Sequence, residues 1–284
     1  MNEQNSIDIL ERIHASYYQL TAAERKVADY VLTQHSQVQF MSITQLADEC
    51  GTAEATISRF CRSLKLKGFN AFKIELARRS AANPVAAAQE PSRDSTLGRS
   101  QEVGRMAGDA IRQTIELVES QQVQKAVELI EGAPHVMCIG SGGSMLLAQE
   151  CAHLFSTVTG KFYAVSDSHM QMSAAATMGK EDIIILFSYS GATTGGLQIL
   201  EYAREKGIHT ILITRFNKSP AAKLADVVLR CGSNEGPFQF GSVPAKIAQL
   251  VVVDVLFQEY FHRNRECCEE NIQNIASALS GMHV

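Results

Sequence analysis

The chain has 284 residues, 45% of them hydrophobic and 20% charged, a globular composition that excludes disordered and fibrous classes. At about 100–200 residues per domain this length implies two domains, each with its own core. The formal net charge of −4 gives no global sign of a nucleic-acid partner, so any charge suited to DNA has to be local.

The most apolar stretch, residues 250–257, is interrupted by Asp254 and is too short to span a bilayer, so no membrane partner is expected. Seven cysteines (Cys50, Cys61, Cys138, Cys151, Cys231, Cys267 and Cys268) form no C-x-x-C pair, and their number is odd. Residues 1–10 lack a basic-then-apolar export pattern. Reduced thiols and a cytoplasmic location are the expectation.

Residues 1–80 read as an all-α domain of short helices. Ile7, Leu10, Ile13 and Tyr17 recur at helical spacing, as do Val27, Tyr30 and Val31. Thr21 with Glu24 three residues on predicts a capping box. Residues 81–99 hold Pro84, Pro91, Ser92, Ser95 and Gly98 among alanines, and a linker is placed over 81–105. Helical pattern resumes at about Gln101 and runs to Glu131, divided near Ser120.

From His135 the period changes. Strands are expected at Val136–Ile139, Phe162–Val165, Ile183–Phe187, Thr210–Thr214 and Val227–Arg230, with helices such as Met145–Val158 and Gly196–Lys206 between them. Unbroken apolar runs such as residues 183–187 suit a parallel sheet covered on both faces. An α/β, doubly wound parallel-sheet domain is therefore expected over 106–270. It includes an amphipathic helix near Pro244–Arg263, and a tail follows over 271–284.

Within the first domain, residues 42–64 have helix-turn-helix spacing. Ser42 and Gln45 can cap a first helix. Ala47 is small where two helices cross, and Gly51 stands at the turn, where a positive φ suits glycine. Thr52 is expected to cap the second helix, with Glu54 in its first turn, and Ile57 and Phe60 fall inward. The outward face is expected to carry Ala55, Thr56, Ser58, Arg59 and Arg62, in reach of base edges and phosphates. Residues 1–55 hold three basic and eight acidic side chains, a net of −5; residues 56–80 hold seven basic and one acidic, a net of +6. Such a local basic surface fits a DNA reader. A helical hairpin with a merely solvated basic face remains the alternative.

"LTAAERKVADYVL", "SITQLADECG", "ATISRFCRSL" and "KGFNAFKIELA", in this order over residues 20–77, resemble the N-terminal domain of RpiR/MurR-type bacterial transcriptional regulators. The resemblance implies a dimer bound to double-stranded operator DNA. Thr56, Ser58, Arg59 and Arg62 would face the groove, and Lys65, Lys67 and Lys73 would lie nearer the backbone. Thr52, at the start of the reading helix, belongs with this set.

In the second domain, "CIGSGGSMLLAQ" runs from strand through Ser141, Gly142, Gly143 and Ser144 into a helix, and backbone N–H groups at such a turn suit an anion. The third glycine of a dinucleotide motif is replaced by Met145, and no triphosphate-binding lysine motif occurs. "ILFSYSGATTGG" places Ser188, Ser190, Thr193 and Thr194 around Gly191 after an apolar strand, a set of hydroxyls able to surround a phosphate. A turn that only caps the next helix is the alternative. With "VSDSHMQ" and "SNEGPFQFGSVPAKIAQLVVVDVLF", these loops resemble a sugar isomerase (SIS) domain over about residues 110–262. That resemblance implies a phosphosugar pocket lined by Ser144, Ser188, Ser190 and Thr193, with Glu235 approaching the sugar. Ala192 and Gly195 stand where acidic residues are common in such regulators, and Lys246 where arginine is common.

A regulator of carbohydrate-metabolism genes, responsive to a phosphorylated sugar and assembled as a homodimer or homotetramer, follows from the two resemblances. The helices at 101–131 and 244–263 are candidate dimer surfaces, and a dimer implies a roughly palindromic operator. Two rivals stay open: a phosphosugar isomerase with Glu235, His153 or His169 as general base, and a DNA-binding protein whose SIS domain is only a scaffold. No catalytic residue, metal or cofactor is assigned, because no His/Cys spacing suits a metal. Cys61, on the reading helix, is expected to be an apolar-packed thiol.

Overall fold

The computed structural model describes residues 8–82, 95–233 and 242–280. Contacts divide the chain into two compact units near Gly104, each described by itself below.

The first unit is helical: α1 (Ile9–Ser16), α2 (Ala22–Val38), α3 (Ile43–Glu49), α4 (Glu54–Ser63) and α5 (Phe69–Ala82). Both expected capping boxes form. The Thr21 N–H donates to Glu24 Oε2 at 2.9 Å while the Glu24 N–H reaches Thr21 Oγ1 at 3.4 Å. The Ser42 N–H donates to Gln45 Oε1 at 3.0 Å, and the Gln45 N–H returns to Ser42 Oγ at 3.1 Å. Each box satisfies two backbone donors that the first helical turn leaves open. Ile13, Val27, Val31, Leu46, Ile57, Phe60 and Phe72 are fully buried at the centre, where Phe60 meets Phe72 edge-on with ring centroids 5.6 Å apart.

The segment expected to be linker up to residue 105 is helical from Thr96, within α6 (Thr96–Leu117). Ser95, read as loop chemistry, accepts the Gly98 N–H at 3.0 Å and so starts this helix. Pro84, Pro91 and Ser92 lie outside the described residues.

After α7 (Ser120–Gly132) the expected alternation follows: β1 (Val136–Gly140), α8 (Gly143–Ser156), β2 (Phe162–Ala164), α9 (Ser168–Thr177), β3 (Ile183–Phe187), α10 (Thr194–Lys206), β4 (His209–Thr214) and β5 (Val227–Arg230). The five strands form one parallel sheet in the order β2-β1-β3-β4-β5. Alternate strand residues supply two cores. Val136, Cys138, Ile185 and Phe187 pack with α7, α8 and α11 (Val243–Arg263), whereas Met137, Ile139, Ile184 and Leu186 pack with α9 and α10. Burial on both faces explains why these strands read as unbroken apolar runs.

One expectation about the periphery changes, that of a tail after residue 270. The helix over 243–263 turns one face into the core, burying Ala248, Val252, Val253, Leu256 and Tyr260. Exposed apolar side chains lie on α6, at Ile111 and Ile115, on α11, at Val243, and on the last helix, α12 (Arg265–Leu279), at Ile272, Ile275 and Leu279. That helix also runs through most of the segment expected to be a tail. Among the described residues no helix is long and apolar enough to cross a membrane.

Candidate functional sites: an exposed helix face and a pair of strand-end loops

The α3–α4 unit is built on two copies of one helix ending. At the end of α3 the Gly51 N–H bonds the Asp48 carbonyl and the Thr52 N–H bonds the Ala47 carbonyl, with Gly51 at φ +59. At the end of α4 the Lys65 N–H bonds Arg62 and the Leu66 N–H bonds Cys61, with Lys65 at φ +60. Both are Schellman endings, which require a left-handed residue just past the helix. The first position carries the expected glycine; the second carries a lysine.

Thr52 does not cap α4. The cap residue is Ala53, which offers no side chain. The Thr52 backbone is committed to closing α3, and its hydroxyl is buried without a partner among the described residues. The start of α4 is held instead by Glu54, whose carboxylate accepts the Thr44 hydroxyl at 2.8 Å and ties the two helices together.

Ala55, Arg59 and Arg62 are exposed and Ser58 is partly exposed, at spacings that share one helix face. Thr56 is not on that face: it is buried at 4% exposure, and its hydroxyl accepts the Arg59 guanidinium at 3.3 Å. It therefore orients Arg59 rather than presenting itself outward. Lys65 and Lys67 are exposed beyond the helix end. Lys73 is partly buried, donates to the Met41 carbonyl at 3.4 Å and sits over the Phe69 ring at 5.4 Å, so it packs against the unit that carries it. Cys61 is buried, and burial pushes its thiol up to about 12.

In the second unit the loops after β1 and β3 leave the sheet side by side, because Gly140 and Phe187 are register partners. From here the chain turns into α8 on one face of the sheet and α10 on the other. This is the switch point at which ligands settle in open α/β sheets. Ser141 and Gly142 are exposed, Gly142 at φ +56 precedes α8, and Gly143 and Ser144 form its first turn. The hydroxyls of Ser141 and Ser144 form no hydrogen bond among the described residues.

In the second loop Ser188 is buried and lies 3.4 Å from Thr193, oxygen to oxygen. Ser190, Thr193 and Thr194 are exposed. The Ser190 hydroxyl accepts the Ala192 N–H at 3.3 Å. Thr193 is the cap residue of α10 yet makes no side-chain cap bond, so its hydroxyl is not used up by the helix. Gly191, at φ +60, is also required for space: a Cβ there would lie 2.1 Å from Ser219 Oγ. The arrangement offers hydroxyls and two helix N-termini at one edge of the sheet, the components of an anion site without a cation.

Gln171 was not singled out by residue pattern. Buried at 4%, it donates to the Gly140 carbonyl at 3.0 Å and the Val165 carbonyl at 2.8 Å, fixing the end of β1 against α9. Its position within "VSDSHMQ" was the only signal. Glu235 lies outside the described residues. His153 is exposed in the last turn of α8, about 15 Å along the helix from the loop end, which removes it from the candidate bases. His169 is exposed in the first turn of α9, at the loop edge. Among the described residues no three His, Cys, Asp or Glu side chains group as metal ligands.

Residues 7–83 match the helix-turn-helix domain of the rpiR family and residues 129–258 match the SIS domain. An uncharacterized HTH-type transcriptional regulator of Caldanaerobacter subterraneus is 31% identical over 281 residues, covering 96% of this chain and 97% of that protein. A bifunctional protein glk of Paraburkholderia xenovorans is 32% identical over 98% of this chain, which spans only 43% of that longer protein. The structure of the Vibrio vulnificus NanR protein complexed with ManNAc-6P superposes with a TM-score of 0.87 at 25% identity, covering 97% of this chain and 99% of that one. Helical head, parallel-sheet domain and end-to-end similarity agree: the chain belongs to the rpiR family of helix-turn-helix transcriptional regulators that carry a SIS domain.

Proposed function

We propose that this regulator binds a specific operator through α4 and that a phosphorylated sugar, held where β1 and β3 end, sets its affinity for that operator. The observation that carries the reading is the pair of loops that leave the adjacent ends of β1 and β3, one carrying Ser144 at the start of α8 and the other Ser188, Ser190 and Thr193 before α10. The binding of ManNAc-6P by NanR supports an amino-sugar or hexose phosphate as ligand class. Arg59 and Arg62 on an open helix face, with Lys65 and Lys67 beyond it, supply base-edge and phosphate contacts.

Assembly as a homodimer or homotetramer on a roughly palindromic site completes the reading. It is supported by the exposed apolar residues of α6 and α12. Regulation rather than isomerisation is favoured because the named relatives that this chain matches end to end are transcriptional regulators.

Melting of the full chain against a panel of hexose and amino-sugar 6-phosphates tests the pocket. A ligand present at 100 times its Kd adds about 2.7 kcal/mol to stability. One member of the panel is expected to raise Tm, and Ser190→Ala is expected to abolish that rise. A Ser190→Ala protein stabilised as much as the parent would remove the loop from the site. Conversion of an aldose phosphate to a ketose phosphate by the protein would replace the regulator reading with the isomerase one.

A further inference from the structure

Tyr189 lies between two of the pocket serines, and both of its ends are fixed. Its carbonyl accepts the Thr214 hydroxyl and the Arg215 N–H, each at 3.1 Å. Its ring meets Phe216 edge-on with centroids 6.0 Å apart. Its own hydroxyl donates to the Ser233 carbonyl at 2.7 Å.

The next residue back, Gly232, approaches α6 so closely that a Cβ would lie 2.4 Å from the backbone of Gln113. The Gly232 N–H donates to Thr114 Oγ1 at 3.0 Å, and that hydroxyl, fully buried, donates to the Ala110 carbonyl at 2.6 Å. A continuous set of hydrogen bonds, joined by the backbone between Gly232 and Ser233, thus runs from the phosphate loop through Tyr189 and Thr114 into α6. That helix is unbroken from Leu117 back to Thr96, and the chain from there leads to the DNA-reading helices.

We infer that Tyr189 is a positioning residue through which occupation of the phosphate loop acts on α6. The inference rests on the proposed sugar-phosphate reading of that loop. A buried carbonyl or hydroxyl that loses its partner keeps the cost of desolvation. A loop that moves on closing around an anion must therefore draw Ser233 and Gly232 with it or break the set. Gly232 has no clearance from Gln113, so its movement is passed to the helix. The physical warrant for such a route is coupling, not proximity, so the test has to read coupling.

Hydrogen–deuterium exchange of the full chain, with ManNAc-6P and inorganic phosphate as probes, supplies that readout. In the parent, a bound probe is expected to slow exchange over residues 188–193 and 108–116 together. In Tyr189→Phe, which removes only the hydroxyl, slowing over 188–193 is expected to persist while that over 108–116 is lost. Thr114→Val is expected to behave alike, Thr114→Ser to restore the coupling, and the Tyr189→Phe/Thr114→Val pair to lose no more than either alone. Undiminished slowing over 108–116 in Tyr189→Phe overturns the inference. If neither probe slows 188–193 in the parent, these two are not ligands of the pocket, and the 6-phosphate panel decides the pocket reading. The relay is then decided without ligand: exchange over 108–116 must be faster in Tyr189→Phe than in the parent, and equal rates overturn it.

Discussion

Arg59 and Thr56 divide one task between an exposed and a buried residue. The guanidinium faces outward while its buried neighbour accepts one of its N–H groups, which limits the orientations the long side chain has to give up on binding. Arg59→Ala is expected to weaken operator binding by about 1–3 kcal/mol, with relaxed specificity, as for a base-reading arginine. Its melting temperature is expected to stay near the parent's, and a gel-shift titration beside a melting curve checks both. Thr56→Val, which keeps the shape and removes the acceptor, is expected to cost affinity less than Arg59→Ala does. The same spacing that placed Thr56 on the outer face also permits the inner edge, and only the packing of Phe60 and Ile57 decides between them. Gln171 and Thr114 were illegible for a different reason: the bonds that give them their place in the fold, to Gly140 and Gly232, reach 31 and 118 residues along the chain. Cys61 was legible as a packed thiol. Burial holds its proton to about 12, so a thiol reagent at mildly alkaline pH is expected to modify exposed Cys267 first and Cys61 only on unfolding. Rapid modification of Cys61 in the native protein would contradict that burial.

At the scale of elements, the helix-turn-helix offers an internal comparison. Gly51 and Lys65 occupy the same position of the same helix ending, both with φ near +60. A side chain in that conformation costs about 1–2 kcal/mol. Gly51→Ala is therefore expected to destabilise the protein, and Lys65→Gly to stabilise it by about 1 kcal/mol while lowering the salt dependence of DNA binding by one phosphate contact. Denaturant unfolding of both variants checks the opposite signs. Helix starts with a Ser/Thr and a Glu/Gln three residues on were readable, as were strands of continuous apolar residues, because each signal lies within a few residues of the element it sets. The start of α6 was missed because Ser95 and Gly98 also have loop chemistry, and only a Ser95 side chain turned back to the Gly98 N–H tells cap from loop. Thr52 failed as a cap for a related reason: the end of α3 claims its backbone first, leaving Ala53 to open α4.

Over the whole molecule, the order β2-β1-β3-β4-β5 matters more than any single residue, because it brings the loops after Gly140 and Phe187, far apart in sequence, to adjacent strand ends. The hydroxyl-rich composition of those loops was readable. Their convergence follows from the strand order, which residue pattern alone does not give. A ligand held there regulates DNA binding only if it has different affinity for the DNA-bound and DNA-free arrangements, and the two affinities are linked reciprocally. Fluorescence anisotropy titration of the full chain against its operator, with and without the sugar phosphate that raises its Tm, measures that difference directly. A shift of operator affinity by about 5–150-fold is expected, the range typical of such coupling, with the shift absent in Ser190→Ala. Operator affinity unchanged by a saturating sugar phosphate that demonstrably binds would contradict the account.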